Sequence, residues 1–212
     1  MLGDGTHYTP EYWGLAQQRS VLAELNAALK SAPLFKPTMP RTGQPWSIWM
    51  TNLGGLGWVS DRQGYRYQEN HPISGHKWPA IPESLLSAWA DLTGYSAPPE
   101  CCLVNYYDQE RSKMGLHQDR DEEAVDAPVL SLSLGDSAVF RMGGPQRRGP
   151  TQSLKLHSGD AFVFGGPARH YFHGIDRVLC GSSTLLSDDP SASSPFSQGG
   201  RINITLRRVT KP

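Results

Sequence analysis

The 212-residue sequence has no surplus of charge of either sign, with 20 Lys and Arg set against 20 Asp and Glu. It therefore lacks the bulk positive field by which a protein coats nucleic acid, although local basic patches survive that exclusion. No window approaches the roughly 18 consecutive apolar residues that a membrane helix requires. The start, MLGDGTHYTPEYW, shows neither the basic flank nor the apolar run of a secretory signal, so a cytoplasmic location and no membrane partner are expected. Cysteine is scarce: Cys101 and Cys102 are adjacent and Cys180 lies far off, which makes neither a disulfide framework nor a CxxC metal or redox motif. Gly and Pro number 22 and 17, below the roughly 25–30% typical of low complexity but enough for a turn-rich, β-rich chain. What is present is 38% apolar residues, sufficient for a core, and a length that suits one domain.

One long helical signal stands near the N-terminus, where Leu15, Val21, Leu22, Leu25, Ala28 and Leu29 recur at three- and four-residue spacing before Pro33. A shorter helix is expected through PESLLSAWADLTG, with Pro82 at its entry and Gly94 at its stop. Between them lies a Gly/Trp/Tyr-rich stretch, MTNLGGLGWVSDRQGYRYQ, in which glycines break any regular period. After Pro99 the pattern changes. CLVNYY, VLSLSL, SAVFRM, SLKLHS, DAFVFGG and RINITLRRV are short β-branched and aromatic segments separated by turn residues, the mark of a sandwich or barrel. In VLSLSL, Leu130, Leu132 and Leu134 face one way and Ser131 and Ser133 the other. The Ser/Pro/Gly-rich stretch 181–200 reads as a long exposed loop.

His117-Gln118-Asp119 places an imidazole and a carboxylate on one side of an extended segment, a donor pair suited to Fe, Mn or Zn. A solvated loop carries such a pair too. The last strand adds weight: from Arg201 to Arg207 every odd position is polar, so Arg201, Asn203, Thr205 and Arg207 share a face while Ile202, Ile204 and Leu206 share the other. Guanidinium groups grip carboxylates through a two-pronged geometry, which suits a small di-acid. Arg201 and Arg207 stand up to roughly 20 Å apart along the strand, so they cannot hold the same carboxylate. By spacing alone His157, His170 and His173 are equal candidates for a third metal ligand.

HQD, the later His173-Gly and the RxNxTxR strand together resemble the AlkB family of Fe(II)- and 2-oxoglutarate-dependent nucleic-acid dioxygenases. The resemblance runs from about Trp49 to Arg207 and is strongest through TNLGGLGWVSDRQGYRY, CLVNYY, LHQDRDE, PVLSLSLG and RINITLRR. It implies an α+β, mainly β domain: a double-stranded β-helix (jelly roll) over about 100–209, N-terminal helices on one sheet, and a nucleotide-recognition lid over about 45–80. It selects His173 to join His117 and Asp119 as ligands of Fe(II), and it places Asn105, Tyr107, Arg201, Asn203 and Arg207 around 2-oxoglutarate, with O₂ as the second cosubstrate. Of these, Arg201 is expected at the far carboxylate. The reaction implied is decarboxylation of 2-oxoglutarate to succinate coupled to hydroxylation of an N-methyl group on a flipped base such as 1-methyladenine or 3-methylcytosine, with release of formaldehyde.

Trp58, Tyr65 and neighbouring Tyr67 match the lid, Asp121 a carboxylate that reads an exocyclic amino group, and Arg147 a further substrate contact. Arg148 is expected in solvent. The expected partner is nucleic acid carrying a flipped alkylated base, single-stranded or duplex DNA with RNA as a further target, and the protein is expected to act as a monomer. Two features depart from the family pattern: the long interval ending at Arg201, whose 181–200 loop is expected to hang in solvent, and an N-terminal strand that is short or poorly matched. Rival readings are an RNA- or tRNA-directed demethylase or hydroxylase of the same class and a metal-holding jelly-roll module without oxidative turnover. The second gives no reason for Asn105, Tyr107 and the polar strand.

Overall fold

The computed structural model describes residues 3–108, 111–189 and 194–212. The chain opens with strand β1 (Thr6–Thr9) and helix α1 (Leu15–Ala28), then β2 (Trp49–Gly54), β3 (Gly57–Asp61), β4 (Gly64–Gln68) and helix α2 (Glu83–Thr93). The β-rich half follows with β5 (Cys101–Tyr107), β6 (Met114–His117), β7 (Val129–Gly135), β8 (Ser137–Met142) and β9 (Gln152–Leu156). It ends with β10 (Ala161–Phe164), β11 (His173–Leu179) and β12 (Arg201–Arg207). Six strands in the order β1-β10-β7-β12-β5-β2 form the larger sheet, β6-β11-β8-β9 form the smaller one, and β3 and β4 pair as a separate hairpin. All strand pairings among the described residues are antiparallel. This is the two-sheet jelly roll.

Period-2 alternation sets what each face of the larger sheet buries. Ile202, Ile204 and Leu206 of β12 and Leu130, Leu132 and Leu134 of β7 pack against Val21, Leu22 and Leu25 of α1 and Leu85, Ala88 and Trp89 of α2. At about 1.5–3 kcal/mol for each fully buried large aliphatic side chain, this helix-covered face is a major source of stability. Gly94 ends α2 in the left-handed region at φ 61, where its lack of a Cβ removes the steric penalty. The opposite, polar face of β12 turns into the space between the sheets, with Arg201, Thr205 and Arg207 buried and Asn203 half-buried.

Two expectations need correction. The glycine-broken stretch after the first helix forms β2, β3 and β4, because glycines fall at the strand ends and turns rather than destroying the pairing. The N-terminal strand is short, as expected: four residues, Thr6–Thr9, pair as an edge with Ala161–Phe164 of β10. The stretch 181–200 does not hang in solvent. Residues 190–193 lie outside the described residues, but on either side Leu185, Leu186 and Phe196 are buried in the helix-side core, and Phe196 packs edge-on against Tyr106 at 4.9 Å. Asn26 of α1 donates to Asp189 at 2.6 Å, and Ser194 donates back to Asn26 at 3.0 Å. Three apolar anchors in a polar stretch explain how a Ser-rich composition is held down on the side away from the inter-sheet space.

Candidate active site

β6 and β11 are neighbours in the smaller sheet, and their register sets His117 opposite His173. Gly174 follows: a Cβ there would lie 2.4 Å from the carbonyl oxygen of Met114, so only glycine admits this approach of the two strands. Asp119 stands two residues beyond the end of β6. His117, Asp119 and His173 bring one ligand atom each to within 4.8 Å of one another. His117 Nε2 lies 3.6 Å from Asp119 Oδ1 and His173 Nε2 lies 3.9 Å from Asp119 Oδ2.

Both imidazoles have their second nitrogen fixed by a backbone carbonyl. His117 Nδ1 donates to Gly115 O at 2.9 Å and His173 Nδ1 to Tyr171 O at 3.0 Å. A carbonyl only accepts, so each Nδ1 carries the proton and each Nε2 presents a lone pair to the common centre. Burial, reinforced by neighbouring His117, pushes the His173 imidazole down to about 4. Burial alone would raise the Asp119 carboxyl, but Arg207, His173, His117 and Arg169 together outweigh it and hold it well below the usual carboxylate range. Two neutral imidazoles and one carboxylate form the donor set of a 2-His-1-carboxylate iron face.

The pKa of His173 has a consequence for the metal-free protein. An unfolded histidine takes up its proton near pH 6.5, whereas the folded one does so only near 4. The unfolded state therefore binds more protons across that window, and stability present above it is lost as the pH falls. Thermal melts in chelator are expected to lose on the order of 5 °C between pH 7 and pH 4.5 from this group alone. A melting temperature that rises over that range would contradict a buried neutral His173.

The triad opens on a cavity of about 800 Å³ between the sheets. Asn105, Tyr107, Asn203, Thr205 and Arg207 line it together with Ser131, which brings the two polar strand faces of the sequence into one wall. Asn105 and Asn203 are directly opposite each other in the ladder, as are Tyr107 and Arg201. Asn203 donates to Ser131 at 2.7 Å. Arg201 sits behind this wall, fully buried, donating to Asp136 O at 3.1 Å and to Ser133 Oγ at 2.7 Å. Among the described residues no carboxylate forms an ion pair with it, and its Nε lacks a hydrogen-bond partner, as does the buried Asn105 Oδ1. Burial alone pushes its guanidinium down to about 10. A buried cation without a counter-ion is costly, and two orphaned polar groups facing the same polar wall fit a bound di-acid such as 2-oxoglutarate.

Over the triad stands the β3–β4 hairpin. Trp58 stacks on Tyr65 with ring centroids 5.5 Å apart and donates from its indole to Asp121 at 2.7 Å. All three line the cavity, as does Arg147, which is exposed at the rim 5.9 Å from the Phe172 ring. Arg148 is exposed. Tyr67 departs from the expectation of a third lid aromatic facing substrate. It is directly opposite Trp58 in the hairpin, but its hydroxyl donates to Glu122, and burial pushes its phenol well above the ordinary range. The rival third ligands lie elsewhere in function: His157 is half-exposed beside Asp160, and His170 offers its backbone carbonyl to Gln118.

Sequence reasoning missed three residues. Glu122 and Arg169 form a buried ion pair at 3.0 Å beneath the triad. Glu122 closes the DxDE run and could have been singled out there, whereas nothing in the sequence marks Arg169. Trp46, 5.7 Å from Trp58, adds an aromatic wall to the cavity; the glycine-poor PWSIW segment before β2 was its only signal.

Residues 5–207 match the family model of the 2OG-Fe(II) oxygenase superfamily. The chain is 48% identical over 200 residues to an alpha-ketoglutarate-dependent dioxygenase AlkB homolog of Caulobacter vibrioides, covering 94% of this chain and 86% of that protein. It is 36% identical over 195 residues to the alpha-ketoglutarate-dependent dioxygenase AlkB of Escherichia coli, covering 90% and 84%. A solved structure described as that of OsALKBH1 superposes with a TM-score of 0.75 at 28% identity, over 98% of this chain and 100% of the other.

Proposed function

The chain belongs to the AlkB family of the 2OG-Fe(II) oxygenase superfamily, and from that premise we propose that it removes alkyl groups from N-alkylated bases such as 1-methyladenine and 3-methylcytosine. It is an Fe(II)- and 2-oxoglutarate-dependent dioxygenase acting in repair of alkylated nucleic acid. The observation that carries the proposed substrate is the joining, in one cavity, of the His117-Asp119-His173 cluster with the Trp58–Tyr65 wall and the Asp121 carboxylate.

His117, Asp119 and His173 would hold the iron. Asn105, Tyr107, Asn203 and Arg207 would hold the near end of 2-oxoglutarate and Arg201 its far carboxylate. When bound, iron, 2-oxoglutarate and O₂ together supply the oxidation that hydroxylates the N-alkyl carbon, while the protein positions the reactants. The protein's own groups do the rest. Trp58 and Tyr65 offer a flat aromatic face on which a base taken out of its stack can lie. A cationic alkylated base gains about 0.5–2 kcal/mol from such a face, a preference that an unmodified base does not share. Asp121 supplies an acceptor for an exocyclic amino group and a negative charge opposite the alkylated ring. To read a base, it must release or share the indole proton of Trp58, so lid movement and base reading are linked. Arg147 at the rim suits a phosphate. A target base flipped from DNA by a monomeric enzyme needs only these few contacts, which agrees with a chain of zero net charge.

The test assembles the protein anaerobically with Fe(II) and 2-oxoglutarate, admits O₂, and follows succinate and formaldehyde with oligonucleotides carrying 1-methyladenine or 3-methylcytosine. Formaldehyde from DNA is expected. Its absence from both DNA and RNA would sink the dealkylation reading, and release from RNA alone would move the target to the RNA-directed alternative. Asp121→Ala is expected to change the ratio of the two lesions repaired while sparing succinate formation without substrate. An unaltered lesion ratio would remove Asp121 from base reading.

A further inference from the structure

The segment that follows β6 meets the lid hairpin at two successive residues. Asp121 accepts from Trp58 at the exposed edge of the cavity, and Glu122 accepts from Tyr67 beneath it. Trp58 and Tyr67 are a directly opposed pair of the hairpin, so a single rung of this two-stranded sheet is held at both of its ends. Such a hairpin has little stability of its own and takes its orientation from its anchors.

Glu122 also reaches the metal cluster. Its Oε2 accepts from Arg169 at 3.0 Å, and the same guanidinium donates to the backbone carbonyl of Asp119 at 2.9 Å. Its Oε1 lies 3.6 Å from Arg207 Nε, while Arg207 Nη2 lies 2.9 Å from Asp119 Oδ2. Asp119, Glu122, Arg169 and Arg207 are all buried, so two carboxylates and two guanidinium groups balance one another out of water's reach. A divalent cation arriving at Asp119 adds positive charge to that set. Without the Glu122 charge the set would already be positive, and Arg207 would lean more fully on the carboxylate the metal needs.

We infer that Glu122 is a positioning residue that fixes the Asp119 carboxylate through Arg169 and Arg207 and, through Tyr67, fixes the lid hairpin on the same buried support. Only the lid half of this rests on the dealkylation reading. Tyr67 acts as the pivot of the hairpin, and the more exposed contact between Trp58 and Asp121 is the one that opens to admit a base.

Two variants test it. Glu122→Gln keeps the shape and removes the charge, and its affinity for Co(II), read from the visible absorption of the protein titrated with the metal and 2-oxoglutarate, is expected to fall about 10–100-fold, the usual cost of losing an outer partner of a metal ligand. Tyr67→Phe is expected to bind Co(II) within about twofold of the parent but to release about fivefold less formaldehyde per succinate, the effect of one lost hydrogen bond on lid placement. Unchanged Co(II) affinity in Glu122→Gln would overturn the support of Asp119. An unchanged ratio in Tyr67→Phe, or a raised KM for the oligonucleotide with the ratio intact, would overturn the pivot and return Tyr67 to the base pocket. Should Glu122→Gln fail to show a cooperative melt, Glu122→Asp, which draws the carboxylate back from Arg169, takes its place in the same titration with the same two outcomes, and Tyr67→Phe still decides the pivot. If the parent protein makes succinate but no formaldehyde from any oligonucleotide, the dealkylation reading fails while the Co(II) arm stands.

Discussion

Asp119→Ala is expected to abolish turnover, with succinate and formaldehyde both down by about a thousandfold or more, because a carboxylate that holds a catalytic metal contributes several kcal/mol. Asp119 is the sole carboxylate in the cluster with His117 and His173. Its loss also leaves Arg207, which it meets at 2.9 Å, with only the 3.6 Å contact to Glu122 as counter-charge among the described residues. Two histidines, of which only His173 is buried, and an under-compensated guanidinium would then face any incoming cation, so Co(II) affinity should collapse with activity. Measurement of both separates this from a loss of substrate binding. Activity retained within about tenfold of the parent would mean that the metal is held elsewhere.

The second large effect is expected at Arg201. Arg201→Met is predicted to raise the KM for 2-oxoglutarate by about 10²–10³-fold, as expected when one partner of a buried charge pair is removed at a cost of 2–5 kcal/mol. Stability should move the other way. In the ligand-free protein the guanidinium is fully buried without a paired carboxylate among the described residues, and an apolar side chain of similar volume removes that cost, although Ser133 Oγ and the Asp136 carbonyl each lose a donor. The ligand-free variant should therefore melt within a few degrees of the parent, while the rise in melting temperature that 2-oxoglutarate gives the parent disappears. A variant that unfolds below room temperature would mark Arg201 as a structural residue. An unchanged KM would place the far carboxylate on another group.

These two arginines show how the sequence and the structure divide the information. Alternation in RINITLR places Arg201 and Arg207 on one face because a strand repeats every two residues, and the separation of about 20 Å denies them a common partner. That much needs no coordinates. Which arginine stands beside the metal cluster depends on how β12 lies between β7 and β5, and on a carboxylate at position 119, far away in the chain. Likewise, the expected helices correspond to α1 and α2, whose apolar faces repeat strongly, whereas β6 and β11 passed unnoticed. They are strands of 4 and 7 residues whose sequences, MGLH and HGIDRVL, carry glycines and polar residues and are held by neighbours more than by propensity.

The 181–200 stretch failed for a related reason. Its Ser, Pro and Gly content describes a loop correctly, but composition averages away Leu185, Leu186 and Phe196, the three side chains that bury themselves against the core. Tyr67 is close to Trp58 and Tyr65 in the chain, but closeness along a hairpin does not decide which group a side chain meets, and its hydroxyl goes to Glu122. The rung it shares with Trp58 runs from the cavity's edge to its floor, and the floor is Glu122.

By itself the sequence determined the β-rich class, the HxD pair and the polar strand, since each is written in local period, spacing or side-chain chemistry. Spacing left His157, His170 and His173 level and the family resemblance pointed to His173; tertiary structure brings His173 into the cluster, and it alone decided that Glu122 and Arg169 lie beneath it. The physical reason is that metal ligation and buried charge balance are satisfied between residues 47 to 88 apart in the chain, where the folded arrangement, such as the register of His117 opposite His173, brings the partners within reach.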